Sequence, residues 1–259
     1  MTNKYTLITG GASGLGLELS KRFAQEGNNL LLISSNINNL EAAKDVIERE
    51  YKVNVDILQL DLSKNTNFSK VKEYTDSHNM FINNLVNCAG FGDRSDFKDM
   101  DPDKQVNMIE LNCNAPLYLM TVYIKDMLKN NEGHILNISS IAGFYPGPYM
   151  VTYHASKAFL NNLSEGIHHE LKGSNVHMTI ICPGPFTSGF VSKAHNDYTF
   201  KKIKPIPASK VADISMKMFH KNKRMYVIGF GNRVSLFFSR FFPRNFVTNI
   251  SATQIKEKD

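Results

Sequence analysis

The hydrophobic positions along the chain fall into two alternating patterns. Short, nearly continuous apolar runs recur: KYTLIT (residues 4–9), NLLLISS (29–35), VNVDILQLD (53–61), FINNLVN (81–87), GHILNIS (133–139), NVHMTIIC (175–182) and RMYVIG (224–229). Their length and their bounding polar or glycine residues predict buried strands. Stretches of helical period lie between most of them. Residues 15–27 close on Gly27, residues 38–51 carry acids near the start and a base late, and residues 104–130, 151–173 and 208–222 complete the set. Strand and helix in alternation, with strands apolar on both faces, predict an α/β fold: a doubly wound parallel sheet of about seven strands with helices on both faces. No linker, repeat or low-complexity segment interrupts the pattern, so residues 1–259 are read as a single domain with a basic, aromatic tail over residues 231–259. The longest irregular stretch, residues 183–207, contains four prolines and is expected to form a lid or binding loop.

Bulk composition changes this picture little. Of 259 residues, 42% are hydrophobic and 21% charged, which suits a folded, soluble chain. No run approaches the roughly 20 apolar residues of a membrane-spanning helix. The N-terminal MTNKYTLITGG leads straight into the first strand, leaving no room for a signal peptide. Cys88, Cys113 and Cys182 are scattered, odd in number and without C-x-x-C spacing, as expected of a reduced, cytoplasmic protein.

Charge placement is more informative. Residues 201–259 hold 13 Lys and Arg against 3 Asp and Glu, whereas residues 1–200 hold 17 against 21. The basic excess therefore belongs to the C-terminal part. It reads as solvated surface or as attraction to an anionic substrate or lipid surface, and no nucleic-acid motif accompanies it. Within it, GNRVSLFFSRFFPRNFV (231–247) sets Phe237, Phe238, Phe241 and Phe242 among Arg233, Arg240 and Arg244. An amphipathic helix there would pack on the domain or a partner subunit, lid an apolar substrate, or lie on a membrane as a peripheral contact.

Two local patterns carry chemistry. TGGASGLG (Thr9–Gly16) sits between the first strand and the first helix. Helix N-termini present unpaired N–H groups to phosphates, and Gly10, Gly14 and Gly16 would let the backbone turn tightly beneath a pyrophosphate. The spacing G-x-x-x-G-x-G departs from the dinucleotide fingerprint G-x-G-x-x-G. In YHASK, Tyr153 and Lys157 are four positions apart, which stacks them on one helix face. A neighbouring ammonium favours phenolate, so the pair reads as an acid/base whose phenol is lowered from its ordinary pKa near ~10.

With the glycine loop, the Tyr-x-x-x-Lys pair and the NISS segment on the page, the sequence resembles the short-chain dehydrogenase/reductase family over about residues 4–230. The family's N-N-A-G segment appears as NCAG (residues 87–90) with Cys88 in place of the second Asn, which is expected to cost little. Its helix asparagine matches Asn112, its serine Ser140, and its Pro-Gly turn Pro183-Gly184. The 13-residue interval from Ser140 to Tyr153 is the family's usual one. The resemblance implies a Rossmann fold and an oxidoreductase that transfers hydride between a nicotinamide and a carbonyl or alcohol. Tyr153 would move the proton, Lys157 would tune it and hold the nicotinamide ribose, Ser140 would bond the substrate oxygen, and Asn112 would hold a water linking Lys157 to solvent.

The same resemblance implies cofactor contacts at Ser13 and Leu15 of the loop, at Asp61 and Leu62 beside the adenine, at Asn87, Ala89 and Gly90 on the floor, and at Thr187 or Ser188 on the carboxamide. Ser34 stands where an NAD-type Asp would fall, and Ser35 where the usual NADP arginine would. Without a carboxylate to repel a 2′-phosphate, and with Ser34, Ser35 and Asn36 as hydrogen-bond donors, NADP is favoured over NAD. Residues 91–100, 185–207 and the tail are expected to set specificity. Ile141, Phe144, Tyr145 and Tyr149 suggest an apolar mouth for a ketone, 3-oxoacyl thioester or steroid. A homodimer or homotetramer pairing through residues 104–130 and 151–173 is implied as well. The competing readings are a non-catalytic NADP-binding regulator and a membrane-surface interaction protein on the same fold.

Overall fold

The computed structural model describes residues 3–187 and 205–255. Among these, seven parallel strands form one sheet: β1 (Lys4–Thr9), β2 (Asn29–Ser34), β3 (Val55–Gln59), β4 (Phe81–Asn87), β5 (Gly133–Ile138), β6 (Val176–Cys182) and, after two short strands, β9 (Met225–Val227). The order across the sheet is β3-β2-β1-β4-β5-β6-β9. The winding reverses between β1 and β4, and in such sheets the crevice at the carboxyl ends of the strands beside that reversal is where ligands bind. The predicted fold class is the one observed.

Alternation along each strand sends side chains to opposite faces and builds two cores. Ile8, Leu30, Leu32 and Val86 meet α1 (Gly14–Gln25), α2 (Ile37–Glu50) and α7 (Ala208–His220). Leu7, Leu31, Ile33 and Leu85 meet α3 (Phe68–Ser77), α5 (Ala115–Asn130) and α6 (Val151–Glu170). The first core contains an aromatic corner: Phe23 of α1 meets Phe219 of α7 edge-on at 5.3 Å, and His134 of β5 stacks on Phe219 at 3.7 Å.

Three elements differ from the expectation. Helix α3 lies in a stretch for which the sequence reading names no helix. Its buried positions, Phe68, Val71 and Thr75, follow helical spacing but are diluted by polar neighbours. Residues 104–130 are not one α-helix. Helix α4 (Pro102–Ile109) passes through a π-helical turn, Glu110–Asn114, before α5. Pro116 lacks the N–H that would bond the Asn112 carbonyl in an α-helix, and the wider turn absorbs that mismatch. The tail forms two helices, α8 (Phe230–Ser239) and α9 (Arg244–Ile255), parted at Pro243. At each edge of the undescribed residues 188–204 a two-residue strand remains, β7 (Phe186–Thr187) paired in parallel with β8 (Ile206–Pro207).

Candidate active site

A cleft of about 670 Å³ opens at the carboxyl ends of the strands. Its floor is laced together by backbone and hydroxyl bonds. Gly10 N–H donates to the Ile33 carbonyl at 2.8 Å, and Ser139 N–H donates to the Ile181 carbonyl at 2.8 Å. The Thr9 hydroxyl oxygen accepts from the N–H groups of Cys88 and Ala89, each at 3.1 Å, which holds the NCAG segment against the end of β1. Cys88 packs against the α1-side core like a small apolar residue.

The glycine loop meets a strict spatial demand. A Cβ on Gly16 would lie 2.1 Å from the Gly10 carbonyl oxygen. Gly10 itself has φ +69° and its Cβ would stand 3.0 Å from the Ala89 Cα. Backbone can approach this closely only without side chains, and the result is an open cradle at the N-terminus of α1 that suits a pyrophosphate. Gly10, Ser13, Gly14, Leu15 and Gly16 all line the cleft, as do Ser34, Ser35, Asp61, Leu62, Ala89, Gly90, Pro183 and Gly184. This set fits a dinucleotide lying across the switch point between β1 and β4.

Not every expected contact is there. Asn36 does not line the cleft; its Oδ1 caps α2 by accepting from Asn39 N–H at 3.0 Å, while its own N–H donates to Ser34 Oγ at 3.4 Å. Asn87 lies below the floor, where its amide donates to Asn137 Oδ1 at 2.8 Å. Thr187 is exposed in β7 and does not line the cleft, and Ser188 falls outside the described residues. Asp61 lines the cleft with Oδ1 accepting from the N–H and hydroxyl of Ser63.

Ser140, Tyr153 and Lys157 converge on one wall. Ser140 leaves the end of β5, and its hydroxyl oxygen accepts from Ala142 N–H at 3.1 Å while the hydroxyl bonds Tyr153. Lys157 is buried one turn beyond Tyr153 on α6. Its Nζ donates to the Ile138 carbonyl at 3.0 Å and stands 5.9 Å from the centre of the Tyr153 ring. Among the described residues it pairs with no carboxylate. Burial pulls the Lys157 ammonium below its ordinary value.

The expected depression of the Tyr153 phenol does not hold for the protein's own groups. Burial pushes it up to about 12, with the Ser140 hydrogen bond acting in the other direction. Lys157 spends its short bond on a strand carbonyl and stands 5.9 Å from the ring centre, and loss of solvent around the phenol dominates.

Asn112 sits behind this group. Its Nδ2 donates to the Phe91 carbonyl at 2.9 Å and to Ser156 Oγ at 3.0 Å, and its Oδ1 accepts from Phe91 N–H at 3.2 Å. The Asn112 side chain thus pins the 91 loop against α6, and the π-turn aims it there.

Met150 and His154 were not singled out from the sequence, whereas Phe91, Phe186 and Ile206 lie in the segments expected to set specificity. Phe91, Met150, His154, Phe186 and Ile206 join Ile141 and Tyr145 in an apolar mouth, whereas Phe144 and Tyr149 stay out of it. His154 Nδ1 bonds the Tyr145 carbonyl at 2.9 Å, and burial holds this imidazole below its usual pKa. Asn232 and Ser235 of α8 and Ser251, Gln254 and Ile255 of α9 close the far wall. Arg94 Nε donates to the Ile255 carbonyl at 2.9 Å and ties the tail to the 91–100 loop. The tail was expected to bear on specificity, but no periodic signal picks out these particular residues as cleft lining.

Comparison with known proteins agrees with this geometry. The family described as short chain dehydrogenase matches residues 4–199. A very-long-chain 3-oxoacyl-CoA reductase of Vanderwaltozyma polyspora is 32% identical over 188 residues, which span 68% of this chain but only 54% of that protein. The structure of a short-chain dehydrogenase from Sphingobium yanoikuyae in complex with NADPH superposes with TM-score 0.82 at 25% identity, covering 99% of both chains. A 7β-hydroxysteroid dehydrogenase shares the fold with TM-score 0.86 over 96% of each chain at 19% identity. With its seven-stranded parallel sheet and a family match across most of its length, this chain belongs to the short-chain dehydrogenase family of oxidoreductases.

Proposed function

We propose that the protein reduces the carbonyl group of an apolar substrate with NADPH. The observation that carries this reading is the convergence of Ser140, Tyr153 and Lys157 on the wall of a cleft whose other end is the glycine cradle. When bound, the nicotinamide supplies the hydride and, once oxidised, a positive charge beside the phenol. Everything else falls to the chain. The buried Tyr153 phenol keeps its proton at neutral pH and can give it to the forming alkoxide. The Ser140 hydroxyl donates to the same oxygen as its charge grows. Lys157, without a carboxylate partner among the described residues, would hold the ribose, and Asn112 positions α6 and the 91 loop.

The apolar mouth supports a ketone with a hydrocarbon body, in keeping with the oxoacyl and steroid names of the relatives above. For the nucleotide, Ser34 and Ser35 line the cleft without an acid at either position, which supports NADP.

An NADPH-consumption assay over ketones, steroids and oxoacyl thioesters tests the reading. Tyr153→Phe should lower turnover by about 10²–10⁴-fold while NADPH binding, read by nucleotide fluorescence, is kept. Near-normal turnover in the variant would remove Tyr153 from the chemistry. In the same assay kcat/KM should be higher with NADPH than with NADH, and the reverse order would overturn the nucleotide assignment.

A further inference from the structure

The tail helices are built inside out. On α8 and just beyond it, Phe230, Val234, Phe237, Phe238 and Phe241 fall at helical spacing on one face, and that face points to solvent: Phe230 is 76% exposed, Phe238 55% and Phe241 70%. A second stripe of Phe242, Phe246 and Ile250 continues along α9, also exposed. The rings contact one another, Phe237 with Phe238 and with Phe241 at 5.5 Å and Phe242 with Phe246 at 5.1 Å, but not the core. The opposite faces carry the inward contacts, Leu236 on α8 and Ser251 and Ile255 on α9. A contiguous set of large apolar groups on a soluble chain marks a surface that meets something.

The charge around it names the occupant. Between Asp213 and Glu257 the sequence has no acidic residue, and Arg233, Arg240 and Arg244 are the bases on the tail helices and their junction. Arg233, Arg240 and Arg244 border the aromatic stripes, are exposed, and form no ion pair among the described residues. Arg233 lies over the rings of Tyr226 and Phe230 instead. Aromatic groups that can sink into the headgroup boundary, rimmed by arginines with no carboxylate to satisfy them, complement an anionic bilayer; a second copy of this surface would bring like charges together. We propose that the outward face of α8 and α9 docks on the surface of an anionic lipid bilayer. No helix among the described residues is long and apolar enough to span one, so the contact is peripheral. The inward faces of the same helices line the cleft through Asn232, Ser235, Ser251 and Gln254, so docking would leave the cleft behind the docked helices.

Vesicle sedimentation tests this with the full chain. The protein should pellet with vesicles of phosphatidylcholine and phosphatidylglycerol at 70:30, about tenfold or more over pure phosphatidylcholine, and 0.5 M salt should weaken the binding. The triple variant Phe237→Ser, Phe238→Ser, Phe241→Ser and the double variant Arg240→Glu, Arg244→Glu should each lose tenfold or more of that binding. Both should keep their circular dichroism, melting temperature and NADPH affinity, which separates a docking defect from misfolding. Two results overturn the proposal: equal or absent binding to both vesicle types, or light scattering in which the Phe variant dissociates an oligomer while vesicle binding is unaffected. The latter outcome assigns the face to a second copy of the chain. Because vesicle binding is read without turnover, its failure is distinct from failure of the reductase reading.

Discussion

Helices α1 and α8 have the same kind of sequence and opposite surroundings. Both are short, with apolar residues at helical spacing and bases among them. Helix α1 turns Leu15, Leu19 and Phe23 into the core against the sheet and α7. Helix α8 buries Leu236 alone and turns its phenylalanines outward. The physical lesson is that periodicity reports a stripe without saying what covers it. For α1 the cover is the sheet, and the helix is held stiffly enough for its N-terminus to form the phosphate cradle. For α8 the described residues supply no cover, and the stripe stays exposed.

The contrast can be broken at several points, and the aromatic corner under α1 should give the largest effect. Phe23→Ala removes a fully buried ring from contact with Phe219 and should cost about 3–5 kcal/mol in chemical denaturation. A loss below ~1 kcal/mol would mean that α1 is far less anchored than its burial implies.

Acid probes the same corner. His134 is buried on Phe219, bonded to Thr179 Oγ1 at 2.9 Å, with its pKa lowered to about 3 by burial first and by His177 and His220 next. A folded pKa below the unfolded one means that the unfolded chain binds the extra proton. Stability attributable to this histidine is therefore complete above the unfolded value near ~6.5 and is lost as pH falls toward 3. Between pH 7 and pH 4 the loss should be on the order of 3 kcal/mol, and a His134→Gln variant should show a flatter profile over that range. An unchanged profile would place the acid sensitivity elsewhere.

The smallest effects belong to α8. Leu236→Ala should cost about 2 kcal/mol or less, because the residue sits at the rim of the packed region. Phe237→Ser should change stability by no more than about 0.5 kcal/mol. A large loss on Phe237→Ser would show that the outward stripe supports the fold, and the comparison with α1 would fail.

Much of the architecture was legible before any coordinates, because strands apolar on both faces can only be the interior of a covered parallel sheet. Helix α3 escaped because its buried positions are diluted by polar neighbours, and Pro116 converted a smooth periodicity into a π-turn by withholding one N–H. The glycine loop and the Ser140, Tyr153 and Lys157 spacing were readable because each depends on a local backbone or a fixed helical offset. Asn36 caps α2 through Oδ1, a role not legible in the sequence because Asn serves equally as a ligand donor and as a helix cap.

What the sequence determined by itself is therefore the repeating local order: which segments are strands, where the backbone must be bare, and which side chains share a helical turn. Tertiary structure alone decided where those groups point. It turned the Lys157 ammonium to a strand carbonyl, raised the Tyr153 phenol by taking it from solvent, and brought Ser251 and Gln254 back over a cleft built from distant strand ends. It also left the phenylalanines of α8 facing out. Solvation and the direction of a charge depend on neighbours far away in the chain, which no local pattern encodes.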